Sequence, residues 1–279
     1  SLAGTSPIEL GSIVAKEALA RSGVEGKQVG NVVFGHVINT EPRDMYLSRA
    51  ASIAAGVPEK APAMNVNRLC GSGLQAIVSA AQSLMLGDAT MALAGGSESM
   101  SRSPYIVPTI RWGQKMGDAG ATDMMLGALN CPFGTGHMGV TAENVAAEYD
   151  ITREAQDAFA LQSQERALKA INEGYFKSQI VPVEVKVKRN IVAFDTDEHP
   201  KASTAETLAK LRPAFQKEGT VTAGNASGIN DGAAAVVLAT ADAAENAGLK
   251  PRARLIGYHV AGVRPDIMGI GPVPAVEGV

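Results

Sequence analysis

The sequence predicts a layered α/β fold, and two features of its patterning support that prediction. Segments with helical spacing of apolar residues alternate with short apolar runs of strand length over residues 1–100, and this alternation returns near Thr220. The stretch between them opens with Gly- and Pro-punctuated sequence of little periodicity. We therefore expect an α/β core formed by 1–100 and 229–251, an inserted loop domain over 101–228, and the start of a second core over 252–279.

The core begins with a helix whose first residues are recognisable in the sequence. Ser6, Pro7 and Glu9 form a capping-box pattern with Pro at the first helical position, and Gly23 is placed to end the helix. The elements expected next alternate in type: a strand over 31–34, a helix over 45–55, an extended segment over 63–69, a helix over 72–86 and an apolar strand over 91–94.

The second half of the chain repeats these two patterns. Helical periodicity predicts helices over 141–149 and 152–172, and a strand-like segment follows over 180–187. After the insertion, we expect three elements in order: a buried strand over 233–238, a short helix over 242–247 and a further strand over 254–260.

The composition excludes two classes of partner and favours an oligomer. The 25 Lys and Arg and 28 Asp and Glu give a net charge of −3 without a basic cluster, so we expect no nucleic-acid partner. No uninterrupted apolar stretch approaches the roughly 20 residues of a membrane-spanning helix, so we expect no membrane partner. A charged fraction of 19% together with 30 glycines favours a tightly packed protein that buries surface against other subunits.

Cysteine usage points to a reducing compartment and to one candidate nucleophile. Two cysteines are too few for a disulfide framework, so we expect a cytoplasmic protein. Cys70 lies where the extended segment meets the helix that starts at Ser72, and helix N-termini favour a thiolate. Gly71 and Gly73 would let a substrate carbonyl approach the backbone closely. The structural alternative is that Cys70 is a small buried apolar residue, as most free cysteines are.

The same segment also fits a dinucleotide-binding fingerprint. Gly71, Gly73 and Ala76 match G-x-G-x-x-A, which in an oxidoreductase lies between a strand and a helix and holds NAD(P). However, the preceding pair Asn67 and Arg68 is too polar for the central strand of such a fold. Asp88 follows directly after a helix-ending glycine instead of ending a strand. The dinucleotide interpretation is therefore the weaker of the two.

Five blocks of the sequence, taken together, resemble the thiolase family. They occur in the family's order and span essentially the whole chain: 65–77 around Cys70, 94–101, 137–144, 210–213 and 222–233. The resemblance is closest to bacterial acetyl-CoA acetyltransferases and broad-range β-ketothiolases, and residues 40–46 favour the latter. It implies a thiolase-like layered α/β core, in which a mixed sheet carries helices on both faces, with a long inserted loop domain.

The resemblance also implies a reaction and a set of site residues. The reaction is a reversible Claisen condensation or thiolysis between acetyl-CoA and an acyl-CoA, with Cys70 carrying the acyl group and its backbone N–H in an oxyanion hole. Coenzyme A would be substrate and product instead of a permanently bound cofactor, and no metal is implied. The expected partners are acyl-CoA, acetyl-CoA and further copies of the chain in a homotetramer, a dimer of dimers, because 111–118 resembles the family's tetramerisation loop. The residues that match the family's CoA contacts are Leu129, His137, Met138, Phe215, Ala223, Ser227 and Gly228.

Three catalytic segments of the family have no match in this chain. They are the Gly-His-Pro, Asn-Glu-Ala-Phe and Cys-x-Gly segments, which supply an activating histidine, an asparagine and a second catalytic cysteine. Cys131 is followed by Pro132 and does not match the last of them. We therefore expect the chain to be about two-thirds of a thiolase that cannot turn over alone. The alternative function is a non-catalytic acyl-CoA-binding module.

Overall fold

The computed structural model describes residues 1–279, which form two compact units. The first unit contains Ser1–Met124, Val181–Asp195 and Asn230–Arg254, and the second contains Met125–Ile180, Thr196–Ile229 and Leu255–Val279. Residues 101–124 and 181–195, which the sequence analysis assigned to the inserted loop domain, lie in the first unit. None of the helices has the length and apolar character needed to cross a membrane.

Over residues 1–100, helices and strands alternate in the order expected of an α/β chain. The strands are β1 (Asn31–Gly35), β2 (Ala63–Val66), β3 (Met91–Ser99), β4 (Tyr105–Ile106), β5 (Thr122–Asp123), β6 (Asn130–Cys131), β7 (Gly136–His137), β8 (Val183–Val187), β9 (Asn190–Phe194) and β10 (Asp231–Ala239). The helices are α1 (Pro7–Ser22), α2 (Leu47–Ala54), α3 (Ser72–Met85), α4 (Met124–Ala128), α5 (Met138–Glu148), α6 (Arg153–Asn172), α7 (Ala205–Ala209), α8 (Ala241–Asn246) and α9 (Pro272–Gly278).

The first unit is built on a four-stranded mixed sheet in the order β10-β3-β1-β2. β1 is parallel to both β2 and β3, whereas β10 is antiparallel to β3. On one face, side chains of α1 and α2 form a buried cluster with Val32, Phe34 and Leu93. On the other face, α3 packs its alanines against Val33 and Ala92. The predicted fold class, a mixed sheet with helices on both faces, is confirmed.

The helix signals in the sequence correspond to real caps. The Ser6 hydroxyl accepts a hydrogen bond from the Glu9 N–H at 3.2 Å, and Gly23 ends α1 in the left-handed conformation at φ 71°. The helix predicted over 45–55 instead starts with a 3₁₀ segment, Pro42–Tyr46, and becomes α-helical only at Leu47. The reason is the buried Asp44 carboxylate, which accepts from the backbone N–H groups of Thr40 and Glu41 and shapes a tight turn.

In the last third of the chain, one strand prediction is correct except for its burial, and another is wrong. The segment 233–238 is a strand, but it lies at the edge of the sheet with alternate residues exposed, and Val236 is 44% exposed. The segment 254–260 forms no strand, and Ile256 is 95% exposed. Apolar content alone predicted it, but a strand also needs a neighbouring strand for its backbone hydrogen bonds, and this segment has none beside it.

The strand predicted over 180–187 is one arm of a hairpin. β8 pairs antiparallel with β9, and Lys188 turns the chain between them at φ 56°. Val185 is buried with Leu2 and Leu10 in a small cluster of the first unit. The second arm, β9, was not predicted, although its residues 191–194 form an apolar run in the sequence.

The second unit is mainly helical. The two predicted helices are present as α5 and α6, and the Thr152 hydroxyl caps α6 by accepting from the Ala155 N–H at 3.2 Å. A 3₁₀ segment, Pro265–Ile270, packs on α5, where the Asn144 amide donates to the Asp266 carbonyl at 2.9 Å. The short strands β6 and β7 pair antiparallel just before α5.

The sheet of the first unit depends on a glycine at its centre, which gives a stability prediction. A Cβ at Gly95 would lie 2.5 Å from the Ala234 carbonyl oxygen and 2.8 Å from the Phe34 ring. We expect Gly95→Ala to lower the free energy of unfolding by about 1–3 kcal/mol, because the buried ring and the strand must both shift. Urea unfolding measures this difference. Gly232→Ala on the neighbouring strand is the control, since a Cβ there meets nothing within 4 Å, and should stay within about 0.5 kcal/mol of the wild type. Equal stabilities of the two variants would contradict the prediction.

Candidate active site

Cys70 lies in the turn that joins β2 to α3, at the junction expected from the sequence. Its side chain is exposed, so the structural alternative of a buried apolar cysteine is wrong. The residue before it, Leu69, has φ 46°, a left-handed conformation that costs a non-glycine residue about 1–2 kcal/mol. Strain of this kind persists only where surrounding contacts hold the backbone in place.

Two side chains hold the Cys70 turn. The Ser72 hydroxyl accepts from the Arg68 N–H at 2.9 Å and donates to the Leu69 carbonyl at 2.6 Å. The Asn67 side-chain oxygen accepts from the Leu69 N–H at 2.9 Å. Ser72 is buried, so its hydroxyl has little access to water as an alternative partner. Both backbone polar groups of the strained residue are therefore paired, and the cysteine is presented on a fixed turn.

The strand that leads into the Cys70 turn is fixed to α2 and the segment before it through Asn65. Its side-chain oxygen accepts from the Ser48 N–H at 2.8 Å, and its amide nitrogen donates to the carbonyl oxygens of Asp44 at 3.1 Å and Met45 at 3.2 Å. These contacts tie the end of β2 to the start of α2. They explain why a polar residue occupies a strand position five residues before the cysteine.

Glycines allow the N-terminus of α3 to lie directly on the carboxyl ends of the parallel strands. A Cβ at Gly35 would lie 2.6 Å from the Ser72 carbonyl carbon, and one at Gly96 would lie 3.7 Å from the Gly73 Cα. The positive end of the α3 dipole therefore lies beside the Cys70 turn, where it favours negative charge on a substrate oxygen.

A buried histidine follows Gly35 at the end of β1. His36 Nδ1 lies 2.8 Å from the Ser97 carbonyl oxygen, so Nδ1 carries the proton, and Nε2 is buried without a hydrogen-bond partner. Side chains alternate across a strand, and Gly35 faces α3, so His36 lies on the opposite face of the sheet. The Glu98 carboxylate accepts from the N–H groups of Val37 and Ile38 and fixes the loop after β1.

The second unit brings four of the predicted CoA contacts together. The rings of His137 and Phe215 stack with centroids 4.7 Å apart and planes 19° from parallel. His137 Nδ1 accepts from the Gly139 N–H at 3.0 Å, which caps α5 and leaves the proton on Nε2. A Cβ at Gly139 would overlap the Phe215 ring, so glycine is required there. The Met138 N–H donates to the Leu129 carbonyl at 2.8 Å.

The other three predicted contacts lie on one loop of the same unit. The backbone pairs Pro213 with Thr222, and the Ala214 N–H donates to the Val221 carbonyl at 2.9 Å, so this loop continues the segment that carries Phe215. After Thr222 the chain turns tightly, because the Ala226 N–H returns to the Thr222 carbonyl. The three predicted contacts on this turn and the chain that follows it are all exposed: Ala223, Ser227 and Gly228. All seven predicted CoA contacts therefore lie in the second unit, and Cys70 lies in the first.

Comparison with known proteins bears on the choice between the thiolase and the dinucleotide-binding interpretations of the Cys70 segment. A model of the thiolase N-terminal domain matches residues 1–242. The chain belongs to the thiolase family. This membership favours the thiolase interpretation of the Gly71 and Gly73 motif over the dinucleotide-binding one.

Three relatives show how close the thiolase match is. Beta-ketothiolase BktB of Cupriavidus necator is 62% identical over 279 residues, covering 99% of this chain and 71% of that protein. The crystal structure of Bacillus anthracis acetyl-CoA acetyltransferase is similar at a TM-score of 0.95 and 48% identity, and the match covers 100% of this chain and 71% of that chain. Human mitochondrial 3-ketoacyl-CoA thiolase in complex with CoA gives a TM-score of 0.95 at 42% identity, covering 100% of this chain and 70% of that chain.

The second cysteine of this thiolase chain is in a different environment from Cys70. Cys131 is buried at the end of β6, opposite Gly136 of β7. A hydrogen bond from the Thr135 hydroxyl lowers the pKa of the Cys131 thiol, and a backbone hydrogen bond from Phe133 adds to the effect. Cys131 is followed by Pro132, which does not match the family's Cys-x-Gly segment, so the sequence predicts no catalytic role for it. No group of three or more His, Cys, Asp or Glu side chains is arranged to hold a metal ion.

The Cys131 contact gives a titration prediction. Replacing the hydroxyl with a methyl in Thr135→Val removes the donor that stabilises the thiolate, so the pKa of Cys131 should rise towards the ordinary value for a cysteine. Ultraviolet absorbance of the thiolate against pH, in a Cys70→Ala background, follows Cys131 alone. Thr109→Val, an exposed substitution in the first unit, should leave the titration unchanged. An unchanged curve in Thr135→Val would show that the hydroxyl does not stabilise the sulfur.

Proposed function

We propose that this chain catalyses the acyl-transfer half of a reversible Claisen condensation or thiolysis between acetyl-CoA and an acyl-CoA, with Cys70 as the acyl carrier. The observation that carries the proposal is the exposed Cys70 on a strained, hydrogen-bonded turn at the N-terminus of α3. Thiolase relatives named as acetyl-CoA acetyltransferase and beta-ketothiolase support the reaction class.

The proposed chemistry is a double displacement at sulfur. The Cys70 thiolate attacks the thioester carbonyl, the C–S bond to CoA breaks, and CoA leaves as a thiolate that takes up a proton. In the condensation half, a base takes a proton from the α-carbon of acetyl-CoA, a role of the family's Cys-x-Gly cysteine, which has no match in this chain. The carbanion then attacks the acyl-cysteine, the C–C bond forms, the bond from the acyl carbon to the Cys70 sulfur breaks, and the Cys70 thiolate is released. A thiolate suits both steps, because it is a good nucleophile and a good leaving group. The Cys70 N–H is proposed to stabilise the developing oxyanion.

We propose that the second unit supplies the CoA contacts. The stacked rings of His137 and Phe215 offer a flat surface for the pantetheine arm, and the His137 Nε2 proton is available to an amide carbonyl. The exposed backbone at Ser227 and Gly228 allows close approach of the ligand. Leu129, Met138 and Ala223 complete the proposed set. The CoA complex of a human thiolase supports this proposal, in which CoA is substrate and product.

The domain roles and assembly are further parts of the proposal. We assign CoA binding and oligomer contacts to the inserted stretch 101–228, and a homotetramer, a dimer of dimers, to the assembled protein. Two apolar side chains on the 111–118 loop support a contact between subunits there, because Trp112 is 89% exposed and Met116 is fully exposed. A cytoplasmic location stays a prediction from the cysteine usage.

Transfer of the acyl group from acetyl-CoA to the chain tests the function. We expect radiolabel from acetyl-CoA to appear on the peptide that contains Cys70, and Cys70→Ala to abolish it. The matched control is Cys131→Ser, which removes the other thiol and should keep the label. Peptide mass spectrometry after quenching in acid locates the adduct.

The labelling experiment also separates the two proposed classes of function. CoA binding without label on Cys70 would support the non-catalytic acyl-CoA-binding module. Label on Cys131 alone would contradict the assignment of the nucleophile.

A further inference from the structure

A buried carboxylate on α5 holds the loop that carries the proposed CoA contacts. Glu143 is 6% exposed, and its two oxygens accept from the Thr220 N–H, the Thr220 hydroxyl and the Val221 N–H, each at 2.8 Å. A buried carboxylate without donors would be strongly destabilising. Here three donors from two adjacent residues compensate it, so the position of this backbone segment is coupled to the carboxylate.

The loop lies so close to Glu143 that one of its positions has room only for glycine. A Cβ at Gly219 would overlap the Glu143 carboxylate. Gly219 does not have a left-handed backbone conformation. Glycine is therefore required there because a side chain would not fit, and not because of the φ angle. The carboxylate is therefore enclosed by Gly219, Thr220 and Val221 on the side of the loop.

A second buried carboxylate, on α6, holds the far side of the same turn. Asp157 is 8% exposed and accepts from the Asn225 side-chain amide at 2.9 Å and from Arg153 Nε at 2.7 Å. Asn225 in turn accepts from the Thr222 N–H at 2.7 Å and donates to the Thr220 carbonyl at 3.1 Å. The turn from Thr220 to Asn225 is thus held between two helices by ionised side chains that do not face solvent.

We propose that Glu143 is a positioning residue for CoA, a role that rests on the proposed function. It acts through Thr220 and Val221 on the exposed loop with Ala223, Ser227 and Gly228. Because Val221 pairs with Ala214, Glu143 also acts on the segment that places Phe215 against His137. No contact between Glu143 and the ligand is required.

Equilibrium dialysis of the full 279-residue chain against CoA tests this role. Glu143→Gln replaces one acceptor oxygen with an NH₂ group that meets the N–H donors of the loop. We expect the dissociation constant for CoA to rise about tenfold or more, because a hydrogen bond to a charged group is lost. The control is Glu148→Gln on the same helix, where the carboxylate is exposed and paired with Arg264, and should stay within about twofold of the wild type.

Two further measurements distinguish positioning from general loss of structure. Hydrogen exchange should become faster at the Thr220 and Val221 amides of Glu143→Gln, while the rate at which iodoacetamide alkylates Cys70, in the other unit, should match the wild type. Gly219→Ala keeps the carboxylate but pushes it away from the loop, and we expect it to weaken CoA binding in the same direction.

Each outcome has a separate meaning. A wild-type chain that binds no CoA overturns the proposed function and the inference with it. A wild-type chain that binds CoA, together with Glu143→Gln and Gly219→Ala variants that bind equally well, overturns the inference alone. Weaker binding in both variants with unchanged Cys70 alkylation supports it.

Discussion

The candidate active site depends on one backbone contact, the approach of the α3 N-terminus to the end of β1. Gly35 makes this approach possible, because any side chain at that position would overlap Ser72. With Ser72 in place, its hydroxyl closes the turn around Leu69, and the strained Leu69 backbone leads directly to Cys70. The exposure of the thiol and its closeness to the helix dipole both follow from this contact.

In the second unit, a functional loop is held in place by buried charged side chains and not by close packing against glycines. Its loop at 220–228 belongs to no helix or named strand, and Val221 is its one apolar residue larger than alanine, so it has little apolar surface of its own to hold it in place. The buried carboxylates of Glu143 and Asp157 replace that missing packing with hydrogen bonds of the strong, charge-assisted kind. One loop of the proposed CoA surface is thereby fixed by residues that are too buried to belong to the surface itself.

Sequence patterns predicted the elements whose signals are local and missed those that depend on distant partners. The Ser6 cap, Gly23 and the helix predicted over 72–86 are local signals, and each is confirmed. The segment 254–260 was wrongly predicted to be a strand, because an apolar run also needs a pairing partner. The apolar segment β9 was not predicted, although it has such a partner in β8. The site was predictable at Cys70 from its helix junction and elsewhere only from the family resemblance. Glu143 and Asp157 look like ordinary surface charges in the sequence, and only the packed structure shows that they are buried.

The most direct test of this account is the rate at which acetyl-CoA acylates Cys70 in a Gly35→Ala variant. Displacing α3 should disturb the turn and slow acylation by about tenfold or more, whereas Gly4→Ala, where a Cβ meets nothing within 4 Å, should react as the wild type does. Circular dichroism confirms that each variant is folded before its rate is compared. A folded Gly35→Ala variant that is acylated as fast as the wild type would show that the contact between α3 and β1 does not set the reactivity of Cys70.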